Sequence, residues 1–162
     1  GSQLRGLGIA PGGDLLLLTQ DGAEAELRRV AAGGLDIGEP VQRLAMTASS
    51  LAVAADGRVA VGGRRNGDGV VALLSGSDLR WASLASEGDD RVDQLLFAGD
   101  DLIVGGRTGG TLGAARIGVT DAFIARISTD SGVVEEISQW GRPGSAAAPP
   151  IMSLAPRADS AV

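Results

Sequence analysis

Val61-Gly62-Gly63-Arg64 recurs as Val104-Gly105-Gly106-Arg107, 43 residues further along the chain. Each copy closes the same arrangement of an apolar stretch, a turn rich in Asp or Gly, and a second apolar stretch. Before the first copy run Leu51-Ala52-Val53-Ala54, Ala55-Asp56-Gly57 and Arg58-Val59-Ala60-Val61. Before the second run Gln94-Leu95-Leu96-Phe97, Ala98-Gly99-Asp100 and Asp101-Leu102-Ile103-Val104. An earlier copy fits with one more residue of spacing: Gly6-Leu7-Gly8-Ile9, Ala10-Pro11-Gly12-Gly13, Asp14-Leu15-Leu16-Leu17. A fourth starts at Ile151-Met152-Ser153-Leu154 and turns through Pro156 to Asp159. A fixed period of this size is the mark of a repeat architecture, and it decides the fold before any motif does.

The rest of each unit repeats too. Val70-Val71-Ala72-Leu73-Leu74 corresponds to Ala122 through Ile127, and Ala25 to Val30 is a more polar copy. A last segment follows each: Ile37 to Leu44, Leu79 to Leu84, Val133 to Trp140. One unit is therefore four short strands. Asp56-Gly57, Asn66-Gly67 and Asp68-Gly69 are dipeptides that supply the positive φ of tight turns. No stretch carries a capped helical period. Ala23 to Ala32 has helix-favouring composition, but its place in the repeat makes it a strand.

Second and third strands such as Val59-Ala60-Val61, Leu102-Ile103-Val104 and Val70 to Leu74 are apolar on both faces, so each sheet is covered above and below. The fourth strands mix polar and apolar residues. A four-stranded sheet packed between neighbours and polar at its outer edge is a propeller blade, and its small inner residues suit a crowded centre. The fold expected is all-β, about three and a half four-stranded antiparallel blades of a β-propeller, a partial propeller. Residues 1–2 (Gly1-Ser2) read as a cloning scar. Repeat 1 spans 3–45, repeat 2 spans 46–91, repeat 3 with a Gly-rich insertion spans 92–149, and 150–162 starts a fourth. Three and a half blades do not close a ring. The expectation is a slice of a longer propeller, or one piece of an assembly that completes the ring.

Composition narrows the chemistry. The 162 residues suffice for one domain. They include 26 Gly, no Cys and no His, and the formal charge is -6. All cations are Arg. Without Cys there is no disulfide, zinc ribbon or thiol nucleophile, and without His no imidazole base or ligand. An acidic chain with four aromatics is a poor nucleic-acid binder. The apolar run Leu15 to Leu18 is far below the roughly 20 residues that span a bilayer.

The third unit carries a further cadence: Gly105-Gly106-Arg107-Thr108, a Gly-rich stretch to Gly118, Thr120-Asp121-Ala122-Phe123-Ile124-Ala125-Arg126-Ile127, then Gln139-Trp140-Gly141. It resembles the bacterial β-propeller repeat family called SBBP, whose core reads Gly-Asp-Ala-Phe-Val-Ala-Lys/Arg-Leu. Thr120, Ile124 and Ile127 depart from that core, the second unit matches loosely and the first poorly. The Ala/Gly/Arg/Asp-rich style is also similar to the propeller region of a large flagellar regulatory protein of alphaproteobacteria. These resemblances imply a propeller fold and a scaffold role in a large bacterial surface, secreted or regulatory protein, with no catalytic residue set.

Glu87-Gly88-Asp89-Asp90 and Gly99-Asp100-Asp101 offer oxygen ligands, but no calcium-loop spacing accompanies them, so they read as ordinary turns. Glu135 and Glu136, adjacent on a strand, point to opposite faces and form a solvated edge. The Gly105–Gly118 stretch has no Gly-Lys-Ser/Thr and opens no helix, so it is not a phosphate loop. Residues 143–150 form a Pro/Ala-rich connector. Arg64, Arg65 and Arg107 fall just past the second strands and form a candidate partner-binding rim for a carboxylate or acidic partner; the competing reading is ion pairs to neighbouring Asp residues.

The reading is a non-enzymatic propeller module acting as a protein-interaction scaffold in a larger bacterial protein. The alternatives are a structural segment of a surface or secreted protein, and part of an enzyme whose chemistry lies in other blades. No cofactor or metal is expected. The partners expected are a protein, further blades of the same chain, or another copy through exposed blade edges, with no nucleic acid and no membrane insertion. The compartment stays open between bacterial cytoplasm and cell surface or secretion.

Overall fold

Twelve strands arise because the apolar runs are too short for helices and each is bounded by turn residues. The computed structural model describes residues 1–144 and 154–155. Within them lie β1 (Gln3–Ile9), β2 (Leu15–Asp21), β3 (Glu24–Val30), β4 (Pro40–Leu44), β5 (Thr47–Val53) and β6 (Val59–Arg65). Next come β7 (Asp68–Ser75), β8 (Asp78–Leu84), β9 (Asp90–Ala98), β10 (Asp101–Thr108), β11 (Asp121–Ser128) and β12 (Val134–Trp140). They form three four-stranded antiparallel meanders: sheet I (β1–β4), sheet II (β5–β8) and sheet III (β9–β12). The described residues include no helix, and so none long and apolar enough to cross a membrane. The fourth unit expected over 150–162, and most of the connector before it, lie outside the described residues.

Register refines the repeat. Leu7, Leu51 and Leu95 pair with Leu17, Val61 and Val104, so the first strands recur at a spacing of 44. The second strands of sheets II and III recur at 43, because the β9–β10 hairpin is one residue shorter than β5–β6. Matching Leu51 to Gln94 and to Gly6, as the sequence pattern suggests, is thus one residue out of step. In a strand such a slip exchanges the faces. β9 begins at Asp90, so the boundary expected after Arg91 falls inside it. β4 begins at Pro40 rather than Ile37, since 31–39 runs as an irregular loop before the ladder to Arg28 opens. Asn66 and Gly67 both have positive φ (55° and 99°) and close the two-residue β6–β7 hairpin. Asp68-Gly69, expected as a turn, instead opens β7.

A bulge recurs at one place in every first strand: Arg5, Ser49 and Asp93 are each the extra residue. It accounts for the second glycine of the repeated Gly-Gly-Arg. The bulge turns the carbonyls of Thr47 and Arg91 toward Gly63 and Gly106, where a Cβ would collide with them.

The sheets stack in chain order, with first strand against first strand (β1 with β5, β5 with β9) and with β6 also against β9. Each sheet has a forward face toward the next sheet and a rear face toward the preceding one. Between I and II the core holds Leu18, Ala25, Leu44, Met46, Val61 and Ala72. Between II and III it holds Ala60, Val71 and Leu84 against Leu102, Val104, Phe123 and Ile127. Each large side chain buried this way contributes about 1.5–3 kcal/mol. Sheet II is covered on both sides, as its β6 and β7 patterns require. The expectation of two covered faces does not hold for sheets I and III, because among the described residues each has only one neighbour.

Candidate functional site

The rim that carries the β6–β7 and β10–β11 hairpins holds the three arginines singled out by sequence. Register places Gln20, Arg64 and Arg107 at one equivalent position, the third residue beyond Leu17, Val61 and Val104. Gln20 accepts the Ala48 N–H (2.8 Å) and donates to the Met46 carbonyl (3.1 Å), fastening the link from sheet I to sheet II. Arg64 does the same job with charge: its Nη2 donates to Asp89 Oδ1 (2.8 Å) in the link from sheet II to sheet III. Arg107 instead turns back within its own sheet, donating from Nε to Asp93 Oδ2 (2.8 Å). Arg91 shares that carboxylate, at 2.9 Å to Oδ1.

Arg65 is different. Its guanidinium lies 4.4 Å from the centroid of the Trp81 ring, and no carboxylate among the described residues pairs with it. Arg64 and Arg65 line one open cleft of about 710 Å³, with Met46, Asn66, Asp89 and Arg91. Arg107 does not line it. The three candidate residues are therefore not one ring: Arg64 is half of an ion pair between sheet II and the linker to sheet III, Arg107 is half of one within sheet III, and Arg65 is held on an aromatic face. Half-exposed pairs of this kind are worth about 0–1 kcal/mol. The sequence reading missed Gln20, Arg91 and Asp93, because their roles appear only once the strand register is correct.

The Gly-rich insertion between β10 and β11 is built around one carboxylate. Asp121 is fully buried. It accepts the N–H groups of Ile117 and Gly118 (2.8 Å each) and the Gln139 side-chain amide (2.9 Å). Gln139 Oε1 in turn accepts the Leu112 N–H at 2.9 Å, and Glu87 accepts that of Thr111 at 3.0 Å. Gly141 lies so close to Asp121 that a Cβ there would strike the carboxylate. Burial alone would raise the pKa of Asp121, but the donors from Gln139, Ile117 and Gly118 outweigh it and hold the group below its usual 3.8. The cadence Asp121, Phe123, Gln139, Gly141 thus has a structural reason: Phe123 fills the II/III core and the other three pin the loop.

The first acidic turn is occupied by protein donors: Asp90 accepts from Ser86, Asp89 from Arg64 and Glu87 from Thr111. In the second, the Asp100 and Asp101 carboxylates lie 3.7 and 3.9 Å from Arg58 and Arg126. No cluster of His, Cys, Asp or Glu placed to hold a metal ion exists among the described residues. Glu135 and Glu136 do not diverge as strand alternation predicts. A bulge at Glu135 brings both within reach of Arg126, at 3.5 and 3.2 Å.

A second surface is the rear face of sheet I. Leu4, Leu7 and Ile9 are 57%, 60% and 68% exposed. Their equivalents in sheet III, by register, are Val92, Leu95 and Phe97, which pack against sheet II. Leu15 and Leu17 on β2 extend the apolar patch by pairing with Ile9 and Leu7. Its outer margin is polar, with Glu26 paired to Arg28 and to Arg43 (3.4 Å). No protein-family model matches the chain, and no curated protein matches it.

Proposed function

We propose that the three sheets are consecutive blades of a β-propeller, and that the chain is a non-catalytic scaffold module that binds other proteins. The observation that carries this reading is the constant orientation of the repeat. Equivalent positions look the same way in all three sheets, so the rear positions buried in sheets II and III stand open in sheet I. Stacked four-stranded meanders that meet through their first strands match the four-stranded blades a propeller arranges around its centre. A contiguous exposed apolar patch with a polar margin is the common form of a protein-binding surface. The resemblance of the third unit to the bacterial repeat family agrees with a scaffold in a larger bacterial protein.

Affinity capture tests the scaffold reading. Wild-type chain is compared with Leu7→Asp/Ile9→Asp and with Arg65→Ala, each checked for folding by circular dichroism. A captured protein lost from one variant and kept by the other locates the binding surface on the face or on the rim. Equal capture by all three, or none, overturns the reading.

A further inference from the structure

The two covered junctions share one packing rule on their first strands. Between sheets I and II, Gly6 and Gly8 lie under Leu51 and Val53, and a Cβ on either glycine would collide with the side chain opposite. Between sheets II and III the same positions are Ser50 and Ala52, under a rear face that carries Leu95 and Phe97. The forward first strand is small at two alternating positions, and the rear first strand above it is large. This lets neighbouring first strands pack directly against each other.

The uncovered faces keep and break this rule respectively. The rear face of sheet I keeps the large half in Leu7 and Ile9. The forward face of sheet III does not keep the small half: Gln94 and Leu96 stand where sheet I has Gly6 and Gly8 and sheet II has Ser50 and Ala52. Large would meet large if sheet III of one copy stacked on sheet I of another. Such a head-to-tail contact repeats without limit unless its rotation closes a ring.

We propose that the rear face of sheet I is a docking surface for a protein β-sheet whose nearest strand carries Gly, Ala or Ser at two alternating positions. Gln94 and Leu96 bar this chain's own third sheet from taking that place in a second copy. The inference rests on the blade reading and names the partner's chemistry. The Glu24, Glu26, Arg28 and Arg43 cluster balances its own charges, so the occupant has to match an apolar centre inside a neutralised polar margin.

The chain can serve as its own probe. Q94S/L96A copies the Ser50 and Ala52 pattern onto sheet III. In sedimentation velocity this variant is expected to self-associate about tenfold or more tightly than wild type, a decade being about 1.4 kcal/mol. Adding Leu7→Asp and Ile9→Asp to it is expected to abolish self-association, while that fourfold variant still binds wild type one to one. Leu96→Ala alone, read the same way, serves if the double variant does not fold. A folded variant that associates no better than wild type overturns the docking rule. So does association that survives loss of Leu7 and Ile9. Wild type that already self-associates through these two residues overturns the barring role of Gln94 and Leu96. The form of the complex reads the blade proposal separately: a closed species of fixed mass supports both, whereas an open-ended series supports the docking rule and counts against the propeller.

Discussion

Leu7 and Leu95 occupy the same position on the rear faces of sheets I and III, one residue-type choice in two settings. Leu95 lies against sheet II at 8% exposure, while Leu7 stands 60% open. Leu4 and Val92 form a sharper pair, at 57% and 0%. The strand register and the bulge match. Among the described residues a sheet packs on the rear face of sheet III and none on that of sheet I. An apolar residue in a repeat therefore declares which way it points, and whether it belongs to a core depends on what the next unit supplies.

The comparison breaks most readily with charge. Val92→Asp buries a carboxylate with no partner, at a cost of several kcal/mol, and is expected to unfold sheets II and III in circular dichroism. Leu4→Asp at the equivalent position is expected to shift stability by about 0.5 kcal/mol or less. Equal effects would mean that the rear face of sheet I is covered in solution.

Truncation gives a smaller and more quantitative version. Phe123→Ala is expected to lose about 3–5 kcal/mol, because the ring is fully buried between sheets II and III. Ile124→Ala, the next residue but on the open forward face, is expected to lose clearly less. Urea midpoints at constant m-value report the difference. Gly106→Ala is expected to cost about 1–3 kcal/mol, since the Arg91 carbonyl is backbone and the bulge has to shift.

A pH effect sharpens the account of the Gly-rich loop. Asp121 has a folded pKa below its usual 3.8, so the carboxylate form favours the folded loop. The stabilisation is fully present above the unfolded value and is lost as pH falls through the lowered folded value. Amide exchange at Ile117 and Gly118 is expected to lose protection on acidification below about pH 4, starting from the usual carboxylate range. In Asp121→Asn that protection is expected not to change with pH over the same interval. A small effect is also expected on the rim. Arg64→Gln is expected to change stability by about 0–1 kcal/mol, because the Asp89 pair is largely solvated.

Much of the architecture is legible in the sequence. Twelve short segments, some apolar throughout and others mixed, are punctuated by Gly, Asp and Asn and specify strands and hairpins through local chemistry, and the Val-Gly-Gly-Arg recurrence groups them in fours. Even the segment Glu24–Val30, helix-like in composition, follows the repeat rather than propensity. The candidate site was less legible. Arg64 and Arg107 look alike in sequence and sit at equivalent positions, yet one clasps the linker to the next sheet and the other its own sheet. That choice is made by Asp89 and Asp93, which no local pattern links to them.

Sequence alone determined the strand content and the meander of each unit, because these follow from the lengths of the strand segments and from turn stereochemistry within a few residues. Only the tertiary structure decided the register to within one residue, the collision that makes Gly63 and Gly106 obligatory, and the faces left open. Those depend on backbone bulges and on packing between sheets, where atoms far apart in the chain come within van der Waals contact.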